Sequence, residues 1–420
     1  MSDSNHQLGG AMAWWVWTLA VTFVVYLFSF QTGYAIVNPS VQEELSLSVA
    51  KVGSIAAIYT WAFAICQFFG GALLDRLGAH KVLPISIGLV TLGIFIFANA
   101  NSFEMLLLSQ VVVAIGSCTG FVGAGYVGGQ WFGMAKFSFM FGLVQVMAAL
   151  TSAFSQNLIG VALDSMSWRM LFNFTAVFGI VLLVLGAIYI RNPAPVVSDN
   201  KGGIGEFFAS VVAGMIEVAK IGHVWMAAIT GALTFGALLA LGVVWMPKLL
   251  GVHGLSAGTA TLGASLLWLG LAAGSAVVPH LSDVLRKRKE LMVIGCIIQL
   301  LCMLALLYLG QLSATMALIL CFIFGFANAN HMLAFSTAAD VVKGHQIGTS
   351  AAIVNGIMFI VGGILLSRPG TRIGLGLEQG LEPKTLELAQ YAGLPITVAL
   401  VLSVVFAILM KETYPAKSDG

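Results

Sequence analysis

Apolar runs of about twenty residues alternate with short polar turns along the whole chain. A helix needs about 20 such residues to cross roughly 30 Å of hydrocarbon, so each run predicts a membrane-spanning helix. Twelve are predicted: 13–37, 52–74, 82–99, 105–130, 138–159, 170–190, 224–247, 256–278, 291–310, 314–338, 347–367 and 388–410. The expected fold is an all-α integral membrane protein with twelve transmembrane helices. Composition agrees, because 59% of the 420 residues are hydrophobic and 9% are charged. Soluble domains carry about 25% charged residues. The polar stretch Met1–Met12 lacks Lys and Arg, so the first run reads as a retained span and not as a cleaved leader.

The placement of charge orients the spans. With the N-terminus inside, thirteen Lys and Arg fall in cytoplasmic segments and six in outer ones. The positive-inside rule then places both termini in the cytoplasm. The longest internal polar stretch follows the sixth span. This suggests an N-terminal six-helix bundle (1–192), a central cytoplasmic loop (193–222) and a C-terminal six-helix bundle (223–420). Within the loop, Glu206–Lys220 is weakly amphipathic and suited to a membrane surface.

The halves repeat. Pro39, Ser48 and Asp75 recur as Pro247, Ser256 and Asp283, each 208 residues later. Six spans separate equivalent points, so the two halves have the same orientation, a parallel repeat. Pro39 is expected to end the first span, and Asp75 to lie in the loop after the second.

That loop reads Gly71-Ala72-Leu73-Leu74-Asp75-Arg76-Leu77-Gly78-Ala79-His80-Lys81. It resembles the G-x-x-x-D-R-x-G-x-(R/K)-(R/K) signature of the major facilitator superfamily. Ser282-Asp283 followed by Arg286-Lys287-Arg288-Lys289 resembles its weaker second copy, and Trp168-Arg169 is another frequent feature. The resemblance implies that the Asp75 carboxylate faces the start of span 11, at Gly348-Thr349-Ser350, as a cytoplasmic gate. Unpaired N–H groups there favour negative charge. It implies the same of Asp283 against span 5, with Gly71, Arg76, Gly78, Lys81 and Arg286 completing the gating set. Two departures stand out. Val112 replaces the family's frequent Arg in span 4, and the exporter G-x-x-x-G-P pattern is absent from span 5.

Ionisable residues inside spans are functional candidates, because an unpaired charge in lipid is costly. Here they are almost missing. His331 in span 10 is the exception, with Asn328 one turn earlier; its imidazole could bind solute or carry a coupling proton. Gln31 and Tyr34 in span 1, Tyr59 in span 2, Gln145 in span 5 and Asn355 in span 11 complete a polar candidate set. Trp61 and Trp268 could add amphipathic walls. Interhelical hydrogen bonding is the competing role for each, at about 0.6 kcal/mol per bond. Lys248 and Arg368 are placed at the outer ends of spans 7 and 11. Without a buried basic clamp, a strongly anionic cargo is disfavoured unless Arg368 folds inward.

The expected function is secondary transport of a small organic solute by alternating access, with proton-coupled uptake favoured. An organic-anion carrier, an efflux pump and a transporter-like sensor are the alternatives. The protein is expected to work as a monomer in a bacterial inner membrane. No nucleic acid, cofactor or metal is expected: the five cysteines lie in apolar runs, and neither a P-loop nor a hydrolase motif occurs.

Overall fold

The computed structural model describes residues 9–194 and 204–414, and every regular element among them is helical. Twelve helices are long and apolar enough to cross a membrane. In order, the spans lie on Gly10–Glu44, Val49–Leu77, Ala79–Ala98, Phe103–Phe132, Phe137–Leu163, Trp168–Tyr189, Gly222–Val252, Ala257–Leu285, Lys289–Tyr308, Ala314–Ala339, Ile347–Glu378 and Leu386–Leu409. They match the twelve expected runs.

Local chemistry explains the starts. Every even-numbered span begins on a capping hydroxyl: Ser48, Ser102, Ser167, Ser256, Ser313 and Thr385. Each accepts the N–H of the third residue onward, at 3.2–3.3 Å, relieving a donor the helix cannot satisfy itself.

Several helices outrun their apolar segments. Span 1 passes through Pro39 to Glu44 instead of ending at the proline. The overrun is held because the Glu44 carboxylate accepts Trp168 Nε1 at 2.6 Å and Arg169 Nε at 2.7 Å. Span 8 continues through Pro279 to Leu285, and span 11 through Pro369 to Glu378. Hydropathy stops where polar residues begin, but backbone hydrogen bonding does not. Other spans are interrupted internally. Span 4 breaks at Cys118–Thr119, span 10 tightens to a 3-10 turn at Ala329–His331, and span 7 widens to a π turn at Leu241–Trp245. In spans 4 and 10 a side chain at the interruption donates to the carbonyl three residues back: Cys118 Sγ to Ile115 at 3.0 Å, and His331 Nδ1 to Asn328 at 2.6 Å. Such local bonds compete with the helical ladder.

The chain divides into two compact units, Met1–Val218 with Lys343–Ile353 and Ala219–Val342 with Val354–Gly420. Residues 195–203, within the expected central loop 193–222, lie outside the described residues. The loop's second half forms a helix, Ile204–Ala219, and clusters as far as Val218 with the first unit. So do the first two turns of span 11. The repeat is visible in helix lengths: spans 2 and 8 both have 29 residues, and spans 3 and 9 both have 20. In the second unit spans 8 and 10 pack backbone to backbone. A Cβ on Gly270 would lie 2.2 Å from the Phe322 carbonyl, and one on Gly325 2.0 Å from that of Leu267. Small residues permit this approach where burial alone supplies no drive between helices.

Candidate functional site

The signature segment sits at the end of span 2 as the last turn of the helix, not as a loop. Span 2 stops at Leu77 and span 3 starts at Ala79, so Gly78 alone makes the turn, with φ +77°. Only glycine enters that region without strain. The turn aims Asp75 at the start of span 11, where its carboxylate, 8% exposed, accepts three bonds. Oδ1 takes Gly348 N–H at 2.8 Å; Oδ2 takes Thr349 N–H at 2.7 Å and the Thr349 hydroxyl at 2.8 Å. The charge thus closes the amino end of a 32-residue helix, the place that best stabilises it.

Gly71, one turn earlier, makes the approach possible. A Cβ there would lie 1.9 Å from the Gly348 carbonyl and 2.6 Å from Ala352 Cβ. Arg76 turns the other way and donates Nη2 to the Ser210 carbonyl at 2.7 Å, holding the central helix. Lys343, just before span 11, reaches Glu217 of that helix at 2.9 Å. Lys81 is exposed and shares with Arg76 and Arg191 a basic recess of about 690 Å³. Gly71, Asp75, Arg76, Gly78 and Lys81 are therefore gathered at one end of the first unit.

The repeated copy in the second unit carries a buried ion cluster. Asp283 lies in the last turn of span 8, and Arg286 of the expected gating set is the left-handed cap of that helix (φ 55°) and is exposed. The left-handed residue reverses the chain and brings Arg288 back over the helix end, 2% exposed. Its guanidinium meets Asp283 at 2.6 Å and Asp340 at 3.2 Å. The C-terminal residues complete the cluster. Tyr414 lies under the guanidinium at 4.6 Å and donates to the Asp283 carbonyl, and the Thr413 hydroxyl donates to Asp340 at 3.2 Å. The Glu412 carboxylate accepts the N–H groups of Arg288, Lys289, Thr413 and Tyr414. Burial pushes the Asp340 carboxyl up despite Arg288. Burial also works against ionisation of Glu412, but the four amides outweigh it and hold that carboxyl below the usual range.

The polar candidates separate by unit. In the first, Gln31 Nε2 donates to the Tyr59 hydroxyl, joining spans 1 and 2. Tyr34 is buried, with its hydroxyl 3.4 Å from the Val52 carbonyl, and Gln145 is buried in span 5. In the second, Asn328 donates to the Thr234 carbonyl at 2.7 Å, and His331 lies 4.9 Å from the Phe235 ring, itself against Phe359 of span 11. Asn355 of the same span is buried. The Asn328–His331 pair expected on one continuous helical face instead lies across a 3-10 turn, with the imidazole bonded to the Asn328 backbone.

One placement corrects the sequence reading. Arg368 is not at a helix end; it lies ten residues inside span 11 and is exposed. Trp61 is 67% exposed, and Trp268 packs against Gly242 at the π turn. Sequence reasoning also passed over three buried glutamines. Gln67 and Gln299 leave both amide atoms, and Gln110 its nitrogen, without a hydrogen-bond partner among the described residues. Each stands alone in an apolar run, the same signal that selected Gln31 and Gln145. Arg288, Asp340 and Glu412 were missed as a cluster because they are distant in sequence. No group of three or more potential metal ligands occurs among the described residues.

Residues 18–367 match the sequence model of the Major Facilitator Superfamily. The hexuronate transporter of Bacillus subtilis is 24% identical over 161 residues, 38% of either chain. A protein of the same organism named as a probable galactarate/D-glucarate transporter is 27% identical over 178 residues, 40% of this chain and 38% of that one. The chain thus spans less than half the length of these curated relatives. Among solved structures, the human organic anion transporter MFSD10 (TETRAN) superposes with a TM-score of 0.71 at 12% identity, over 94% of this chain and 99% of that one. That likeness concerns the fold.

Proposed function

Since the chain belongs to the major facilitator superfamily, a family of transporters and not of enzymes, we propose that it is a secondary transporter carrying a small organic solute by alternating access. The observation that carries this reading is the Asp75 cap on Gly348 and Thr349. It holds the first turns of span 11 in the first unit by bonds that water can replace, while the rest of that helix belongs to the second unit. A span shared in this way is suited to a gate that opens when the cap breaks. In this reading both termini are cytoplasmic, the protein is a monomer of a bacterial inner membrane, and Asp75 marks its cytoplasmic end.

The candidate solute- and proton-binding residues are Gln31, Tyr34, Tyr59, Gln145, Asn328, His331, Asn355 and Arg368. Proton-coupled uptake is the favoured mode, with His331 as the carrier because the described spans offer few other ionisable groups. A second reading, an organic-acid carrier, is favoured by relatives named for hexuronate and galactarate/D-glucarate. Uptake into proteoliposomes, with and without an inward proton gradient, tests the proposal on sugar acids, sugars and amino acids. Gradient-driven accumulation of one class supports it. Specific binding without accumulation would instead identify a sensor. Unchanged pH dependence in His331→Gln would remove His331 from coupling.

A further inference from the structure

The second unit contains a cavity of about 590 Å³ that the proposed transport path does not use. Its walls come from the π turn of span 7 and from spans 9, 11 and 12, and they are mostly apolar: Leu241, Leu249, Met303, Leu307, Ile373 and Ile396. Ala389, Ala392 and Gly393 present small residues at helical spacing on span 12, which leaves the interior open.

Charge appears only at the lining's edge. Lys248 and Lys384 both line the cavity, both are exposed, and no acidic residue is among the lining groups. Each lysine is placed by a special feature. Lys248 follows the π turn and lies 4.4 Å from the Trp245 ring centroid; Trp245 in turn donates to the Leu366 carbonyl at 2.8 Å. π turns are rare and concentrate at functional sites. Lys384 has φ +59°, an uncommon conformation for a residue with a side chain. An apolar chamber with a cationic rim matches a molecule that has a hydrocarbon body and an anionic head. The volume is that of a pocket for one small ligand.

We infer that this cavity binds a single-chain amphipathic carboxylate, with its hydrocarbon chain among spans 7, 9, 11 and 12 and its carboxylate between Lys248 and Lys384. Two cations suit a carboxylate, while a lipid-facing crevice for ordinary acyl chains needs none. The inference is independent of the transported solute, and its test reads binding alone.

The test uses the purified full-length protein in nanodiscs of uncharged phosphatidylcholine, photolabelled with a diazirine analogue of palmitate. Crosslinks are expected in segments 241–252 and 383–396. Lys248→Gln and Lys384→Gln should each weaken labelling by about two- to fivefold, as expected of an exposed ion pair. Ala392→Trp should abolish it by filling the chamber. The exposed lysine variants keep the test decisive should the tryptophan variant misfold. Equal competition by methyl palmitate would overturn the role of the lysines. Stronger competition by phosphatidylglycerol would make the occupant a phospholipid, and crosslinks elsewhere would remove the site; either result overturns the inference.

Discussion

Asp75 and Asp283 are the same position in a repeat of 208 residues, each in the last turn of a 29-residue helix, and a buried guanidinium is described against Asp283 where Asp75 meets a helix start. Asp75 meets two backbone amides and one hydroxyl at the start of span 11. Asp283 meets a buried guanidinium that also binds Asp340 and is covered by Tyr414. A cap of neutral donors is exchangeable, because water can supply equivalent donors to the carboxylate once the helix end moves away. A buried ion cluster is not, since separating it strands charges away from solvent. The first arrangement suits a contact that breaks on every cycle. The second suits a permanent anchor for the residues after span 12.

The contrast can be broken most forcefully at Arg288. Arg288→Met leaves Asp283 and Asp340 facing each other without a cation, and should lower unfolding stability by about 3–5 kcal/mol. Denaturation of the purified protein measures this; a loss below 1 kcal/mol would mean the cluster is solvated and the contrast false. Gly71→Val should rank next. Its Cβ would overlap the Gly348 carbonyl, at an expected cost of about 1–3 kcal/mol for overpacking. A cysteine reporter at Ser350, which is buried, should become reactive in this background.

Asp75→Asn keeps the shape but removes the charge. Each charge-assisted bond is worth about 1.5–3 kcal/mol, of which the amide retains part. Hydrogen exchange at Gly348 and Thr349 should accelerate by about tenfold or more, a change of roughly 1.4 kcal/mol. Unaltered exchange would show that the cap does not hold span 11. The smallest effect is expected at Glu44. Its bond from Arg169 holds its carboxyl below the usual range, so the contribution is present above the unfolded value and is lost as pH falls through the folded one. Because the side chain is 45% exposed, Glu44→Gln should cost no more than about 1 kcal/mol at neutral pH. The difference from wild type should vanish in melts at low pH.

Much of this architecture was legible in the residue pattern. Twelve apolar runs became twelve helices because in lipid a backbone must satisfy itself internally. Asp75 and its target at Gly348–Thr349 were legible through the signature. Arg288 was not. Nothing in the string Arg286-Lys287-Arg288-Lys289 says which side chain turns inward, since that depends on one left-handed residue at the cap. Gln31 and Gln145 were selected because they stand in apolar runs, whereas Gln67, Gln110 and Gln299 gave the same signal and were passed over.

By itself, the sequence determined the medium, the number of spans, the repeat and the chemical character of the Asp75 cap, because hydropathy and helix-end chemistry act over a few neighbouring residues. Tertiary structure alone decided where helices overrun their apolar segments, where spans 4, 7 and 10 break, and which equivalent aspartate is capped and which is clamped. The overrun of span 1, the cap on Asp75 and the Arg288–Asp340 arm of the clamp depend on partners 124, 274 and 52 residues away in sequence, and only packing brings such partners into hydrogen-bonding distance.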